Sequence, residues 1–253
     1  MRVCLALAVL SLAVALPASA QNRPAPPPLP RPAPDFLFGA PSGSVTVRGS
    51  WLFARAGSDW YDFVTSQLTV DSADFNAPGI GFDVAIAVTP RLDAQFSLDF
   101  NRAEVESEYR EFVGNDRLPI LQTTRVRELN LGGNLKVALT ERGREVSRFA
   151  WVPRRVVPYA GAGGGFLWFD VRQVGEFVDF VDFAIFEDVF GARGWTPSAQ
   201  AFAGADIRLF KRLYATVDGR YLWAAGDLGR EWIDFDPIDL AGFRLSGGIN
   251  VLF

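Results

Sequence analysis

Few residues in this sequence can carry acid–base or nucleophilic chemistry. No histidine occurs among the 253 residues, the lysines are Lys136 and Lys211, and the single cysteine, Cys4, sits near the N-terminus. Histidine titrates near neutral pH and is the commonest metal ligand, so its absence removes the usual general base and the usual zinc sites. A serine with a lysine base remains as a nucleophilic arrangement, yet neither lysine has an obvious serine partner in sequence. The glycines Gly161, Gly163, Gly164 and Gly165 match no nucleotide fingerprint, and no lysine follows them. A formal charge of −4 offers no basic surface for nucleic acid. These residues predict a protein that is not an enzyme and carries no cofactor or metal.

The remaining charges and aromatics fall into two patterns. Arg48, Asp83, Asp99, Glu128, Lys136, Asp170, Asp206, Arg208, Asp218, Arg220 and Arg244 each lie on the polar side of an alternating segment. Facing a shared interior, six acids and five bases nearly cancel and are expected to pair and close it. A narrow polar pore that opens when those pairs break is the alternative. Separately, Phe177, Phe180, Phe183, Phe186 and Phe190 recur every three or four residues with acids between them, which is a helical period. That spacing predicts a short amphipathic helix resting its phenylalanines on an apolar surface; an ordered loop packing its own aromatics is the alternative. With Trp60, Tyr61, Trp232 and Phe235 they outline an external apolar site for a small hydrophobic ligand.

The elements that must position these residues begin after an export signal. Residues 1–20 combine Arg2, an apolar run over 5–16 and the small-x-small sequence Ala18-Ser19-Ala20, and read as a signal peptide. Residues 21–42 are rich in proline and read as an extended periplasmic linker. From 43 to 253 the chain alternates in segments of about ten residues, the length that crosses an outer membrane when tilted. Strands are predicted at 44–55, 79–88, around 95–101, 123–139, 157–172, 199–209, 213–223 and 243–253. In the fifth, Tyr159, Leu167, Phe169 and Val171 are expected outside and Trp168, Asp170 and Arg172 inside.

Tight connections near Pro90 and Lys211 contrast with long ones at 56–77, 103–120, 174–195 and 225–239. The long connections hold nineteen of the twenty-nine acids, so one rim should be acidic, a charge we expect to be solvated. Short turns at one end and long loops at the other are the asymmetry of outer-membrane barrels. The fold class is therefore all-β, an eight-stranded antiparallel up-and-down transmembrane β-barrel.

The final segment alternates Leu245, Ile249, Val251 and Phe253 against polar partners and stops on phenylalanine. It resembles the terminal strand that outer-membrane barrels present to their assembly machinery. Residues 43–253 look like the small eight-stranded group that includes the OmpA membrane domain, OmpX, OmpW and opacity-type adhesins. The resemblance implies the outer membrane of a Gram-negative-type bacterium, with membrane lipid, lipopolysaccharide and the assembly machinery as partners. It also implies that Phe253 is the assembly signal. The enzymes among such barrels use a catalytic histidine, which this chain lacks. A structural or surface-interaction role is expected, with a narrow porin-like channel for small or hydrophobic molecules as the alternative.

Overall fold

In an extended strand successive side chains point to opposite faces, so pairing alternating segments edge to edge builds a wall with two unlike surfaces. The structure, a computed structural model, describes residues 36–114, 117–179 and 182–253. The predicted signal peptide and most of the predicted linker lie outside the described residues. The barrel strands are β1 (Gly43–Ala54), β2 (Ala77–Ala87), β3 (Leu92–Val113), β4 (Pro119–Ala138), β5 (Val156–Val178), β6 (Ile185–Arg208), β7 (Leu213–Gly226) and β8 (Gly242–Leu252). Each pairs antiparallel with its neighbour in the chain. The ring closes where β8 meets β1, from Ser44 opposite Leu252 to Ala54 opposite Gly242. Phe253 completes this seam: its carbonyl accepts from the Ser42 amide at 2.8 Å and its own amide donates to Gly43 at 3.0 Å. A Cβ on Gly43 would lie 2.6 Å from the Phe253 ring, so glycine leaves the ring its place.

Along the strands Val47, Ile80, Phe82, Ile86, Phe96, Leu135, Phe166, Leu245 and Ile249 are exposed, while Arg48, Asp99, Asn130, Arg220 and Arg244 are buried. A chain folded in water does the reverse. The barrel is inside-out because lipid is its solvent, and a closed ring leaves no unpaired strand edge inside the bilayer.

Close approach of β5 to β4 depends on glycine. A Cβ on Gly165 would sit 1.9 Å from the Leu131 carbonyl oxygen, and one on Gly163 would sit 2.1 Å from that of Gly133. Gly165→Ala is expected to cost about 1–3 kcal/mol, the usual penalty of overpacking. A lower temperature for loss of the folded barrel's fast electrophoretic migration checks this, and an unchanged temperature contradicts it.

Strands β1, β2, β7 and β8 run 12, 11, 14 and 11 residues, whereas β3 to β6 run 22, 20, 23 and 24. About ten residues suffice to cross the membrane, so the four long strands continue as a wall above it. Most of the loops expected at 103–120 and 174–195 are thus strand. The helix expected over the phenylalanines is also absent, because β5 and β6 form a hairpin there with Phe177 paired to Phe186. Phe180 lies outside the described residues. The helix that does form, α1 (Asp59–Gln67), belongs to the first connection.

Strand β5 faces the opposite way from expectation. Tyr159, Leu167, Phe169 and Val171 are buried inside, and Asp170 belongs to the outer face, where it is 3% exposed and bonded to Arg127 and Arg172. Polarity misleads here because it inverts above the lipid, where the outside is water and the inside is a dry core. The membrane-level half of β5 is mostly glycine and alanine and carries no competing signal.

Candidate functional site: the lumen and the core above it

At membrane height, inward-facing side chains from all eight strands meet across the bore. Arg48 of β1 is 1% exposed and grips Asp83 of β2 with two hydrogen bonds, Nε to Oδ2 at 2.9 Å and Nη2 to Oδ1 at 3.1 Å. Its Nη2 also reaches Asp99 of β3 at 2.8 Å. From the far side, Arg220 of β7 approaches Asp99 at 3.4 Å, Asp83 at 3.8 Å and Asp218 at 4.0 Å, with its guanidinium 4.6 Å from the Phe202 ring centre. Towards the extracellular side, Arg244 of β8 donates to Glu128 of β4 at 2.7 Å and to Asn101 at 3.3 Å. Towards the periplasmic side, the Lys136 ammonium lies 2.9 Å from Asp206 and 3.7 Å from the centre of the Tyr159 ring. Asp218 accepts from Ser246 at 2.6 Å and from the Tyr159 hydroxyl at 3.2 Å. Arg208 stands half-buried on the last turn of the lumen wall.

Ion pairs this far from water are costly unless their remaining donors and acceptors are also met, and here they are met in part. Asn101 accepts from Arg244 at 3.3 Å and Gln200 from Arg220 at 3.5 Å, and Gln200 in turn donates to Ser97 and Asn134, while Arg48 Nη1, Arg220 Nε and Arg244 Nη1 have no partner among the described residues. A cavity of about 10 Å³ remains beside Asp83, Asp218 and Arg220, room for at most one water. Below it the lumen widens to a vestibule of about 470 Å³, lined in part by Lys136, Asp206, Arg142 and Trp151.

Above the membrane the interior becomes apolar, and α1 fills it. Trp60, Tyr61, Val64 and Leu68 are buried against Phe75, Val126, Leu167, Phe169, Leu222 and Trp232. Trp60 is fully buried, with ring centres of Tyr61, Trp232 and Phe75 at 5.0, 6.0 and 6.3 Å. Burial, with Glu128 and Asp239 nearby, raises the Tyr61 phenol above its ordinary range, so it stays neutral. Outside the wall, Glu104 is shared by Arg125 and Arg102, which hold its carboxyl down at about 2.

The predicted phenylalanines are only partly brought together. Phe177, Phe186 and Phe190 line a cleft of about 250 Å³ between the β5–β6 hairpin and α1, joined by Phe63, Trp232 and Phe235. Phe190 meets Phe177 at 4.6 Å and Trp232 at 5.8 Å. Phe183 does not join them: it is 64% exposed and stacks on Phe112 at 6.1 Å. The largest omission from the sequence-based reading is α1. Its signal was the spacing of Trp60, Tyr61, Val64 and Leu68, obscured by a serine- and aspartate-rich surrounding.

No known protein family matches the sequence, and no curated protein matches it either. Solved structures with a similar fold include Neisserial surface protein A, 11% identical over 85% of this chain and 99% of that one, with a TM-score of 0.45. The outer membrane protein OprG from Pseudomonas aeruginosa is 10% identical over 86% and 99%, with a TM-score of 0.47. The outer membrane protein AlkL is 18% identical over 85% and 92%, with a TM-score of 0.34.

Proposed function

We propose that this chain is a sealed, non-enzymatic outer-membrane barrel whose working part is the wall it raises above the membrane, serving surface interaction. The upper edge of β6 carries this reading. Its ladder to β7 begins only at Ser198 opposite Ala224, so residues 185–197 have no strand on their outer side among the described residues. The Gly191 amide on that edge donates to the Glu231 carboxylate and the Val189 amide to its neighbour Asp188. An extended segment of another protein can pair with such an edge by main-chain hydrogen bonds. The absent histidine and the engagement of Lys136 by Asp206 support a role without catalysis. On this reading outer-membrane lipid and lipopolysaccharide surround the barrel, and Phe253, in the closing seam, serves the assembly machinery.

Val189→Pro removes an outward amide while leaving the β5 ladder intact. It is expected to abolish binding of β-prone synthetic peptides to the refolded barrel, with fast electrophoretic migration retained. Peptide binding that survives the substitution, or is absent from the parent protein, contradicts the reading. A channel for small or hydrophobic molecules is the second reading, favoured by the apolar cleft beside α1.

A further inference from the structure

The outer face of the wall changes chemistry between adjacent rows of the sheet. In one row Phe100, Leu129, Trp168 and Trp195 stand side by side on β3, β4, β5 and β6. One repeat further from the membrane the row reads Arg102, Arg127, Asp170 and Arg193, and the next holds Glu104, Arg125 and Arg172. Five arginines thus stand beside two acids, and four of them bond to those acids. Glu104 accepts from Arg125 at 2.6 Å and also from Arg102, and Asp170 accepts from Arg127 at 2.5 Å and from Arg172 at 3.0 Å.

The register sets Arg102 opposite Arg127 and Arg125 opposite Arg172, like charges that destabilise a sheet when they face each other directly. The Nε atoms of Arg125 and Arg127 are buried and have no hydrogen-bond partner among the described residues. Guanidinium groups carried on neighbouring strands, whose backbones run about 5 Å apart, form a surface suited to anions with several oxygens. The row of Trp168 and Trp195 directly beneath is the aromatic girdle that marks the lipid boundary.

We propose that these two rows bind the phosphate groups of a phosphorylated glycolipid in the outer leaflet, whose acyl chains lie against Phe100, Phe166 and Trp195. The aromatic row selects a membrane-held phosphate over a free one. Spread over four strands, the arginines match a headgroup with two phosphates better than a headgroup with one. The site is independent of the β6 edge, so either can fail alone.

The test is native mass spectrometry of the refolded barrel in detergent, titrated with bisphosphorylated or dephosphorylated lipid A. Retention of the bisphosphorylated form is expected to exceed that of the dephosphorylated form at least about tenfold, the scale of one charged hydrogen bond. Arg125→Gln combined with Arg172→Gln is expected to remove that preference. Glu104→Gln, which releases two arginines, is expected to strengthen it. Arg193→Gln tests the same rows singly should the double variant fail to fold. Equal retention of both lipids, or a preference unchanged by the arginine substitutions, overturns the proposal. Displacement of the lipid by equimolar inorganic phosphate also overturns it, by showing a site for free anions.

Discussion

Replacing Arg48 with alanine is expected to destabilise the barrel by about 3–5 kcal/mol, because it leaves buried charge without its partner. Asp83 and Asp99 both lean on this guanidinium, at 2.9 and 2.8 Å, and both are nearly inaccessible to water. Arg220 is their other cation, at 3.8 and 3.4 Å, too far for Asp83 to gain a full hydrogen bond from it. The loss should appear as a lower urea midpoint for unfolding in lipid. Neutralising the acids in the same background, as Arg48→Ala with Asp83→Asn and Asp99→Asn, should recover most of it, because asparagine needs hydrogen bonds but no counter-charge. A single substitution that costs under about 1 kcal/mol would place the pairs among those whose desolvation cancels their attraction. The effect then would lie in closing the bore rather than in holding the fold.

How far the sequence reveals this arrangement depends on which solvent each segment meets. At membrane height the rule is simple: lipid outside and a polar lumen inside make Ile80, Phe82 and Ile86 alternate with Gly81, Asp83 and Ala85, and the face of each residue is readable at once. Above the membrane, water lies outside and the core inside, so the same period continues in inverted phase. Arg102, Glu104 and Glu106 alternate with Ala103 and Val105 as regularly as the membrane strands do. Read with the membrane rule the segment resembles a charged loop, and β5, whose polar residues fall mainly in its upper half, is turned inside out. The phenylalanine series fails for a related reason. Phe177, Phe186 and Phe190 belong to two strands facing across a hairpin, so their spacing in sequence imitates a helix that the ladder from Val178 opposite Ile185 excludes. Alternation marks charges such as Arg48 and Asp83 as inward, but the balance of six acids against five bases does not carry over, because Asp170 sits on the outer face with Arg127 and Arg172. That Arg244 chooses Glu128 over Asp218 depends on barrel stagger, which no local pattern carries.

Replacing Trp60 with alanine is expected to cost about 3–5 kcal/mol, the range for a fully buried aromatic, and to act on the plug rather than on the ring. Trp60 is the centre of the aromatic group that ties α1 to Phe75 and Trp232, and α1 shares no ladder with the barrel strands. Proteolysis should therefore cut residues 56–77 in the variant while the strands stay protected. Cutting elsewhere, or nowhere, would show that α1 is not a separate unit. Permeability then distinguishes the two closures. In liposomes the parent barrel is expected to pass no ions, and Trp60→Ala alone should stay closed because Arg48, Arg220 and Arg244 still bridge the bore below. Arg48→Ala alone should stay closed under an intact plug. Only the two together should give conductance, since each closure lies at a different height and neither needs the other. Steady steps from the parent barrel would favour the channel reading, and conduction by Trp60→Ala alone would leave α1 as the one barrier and make the lumen charges a scaffold for the wall rather than a seal.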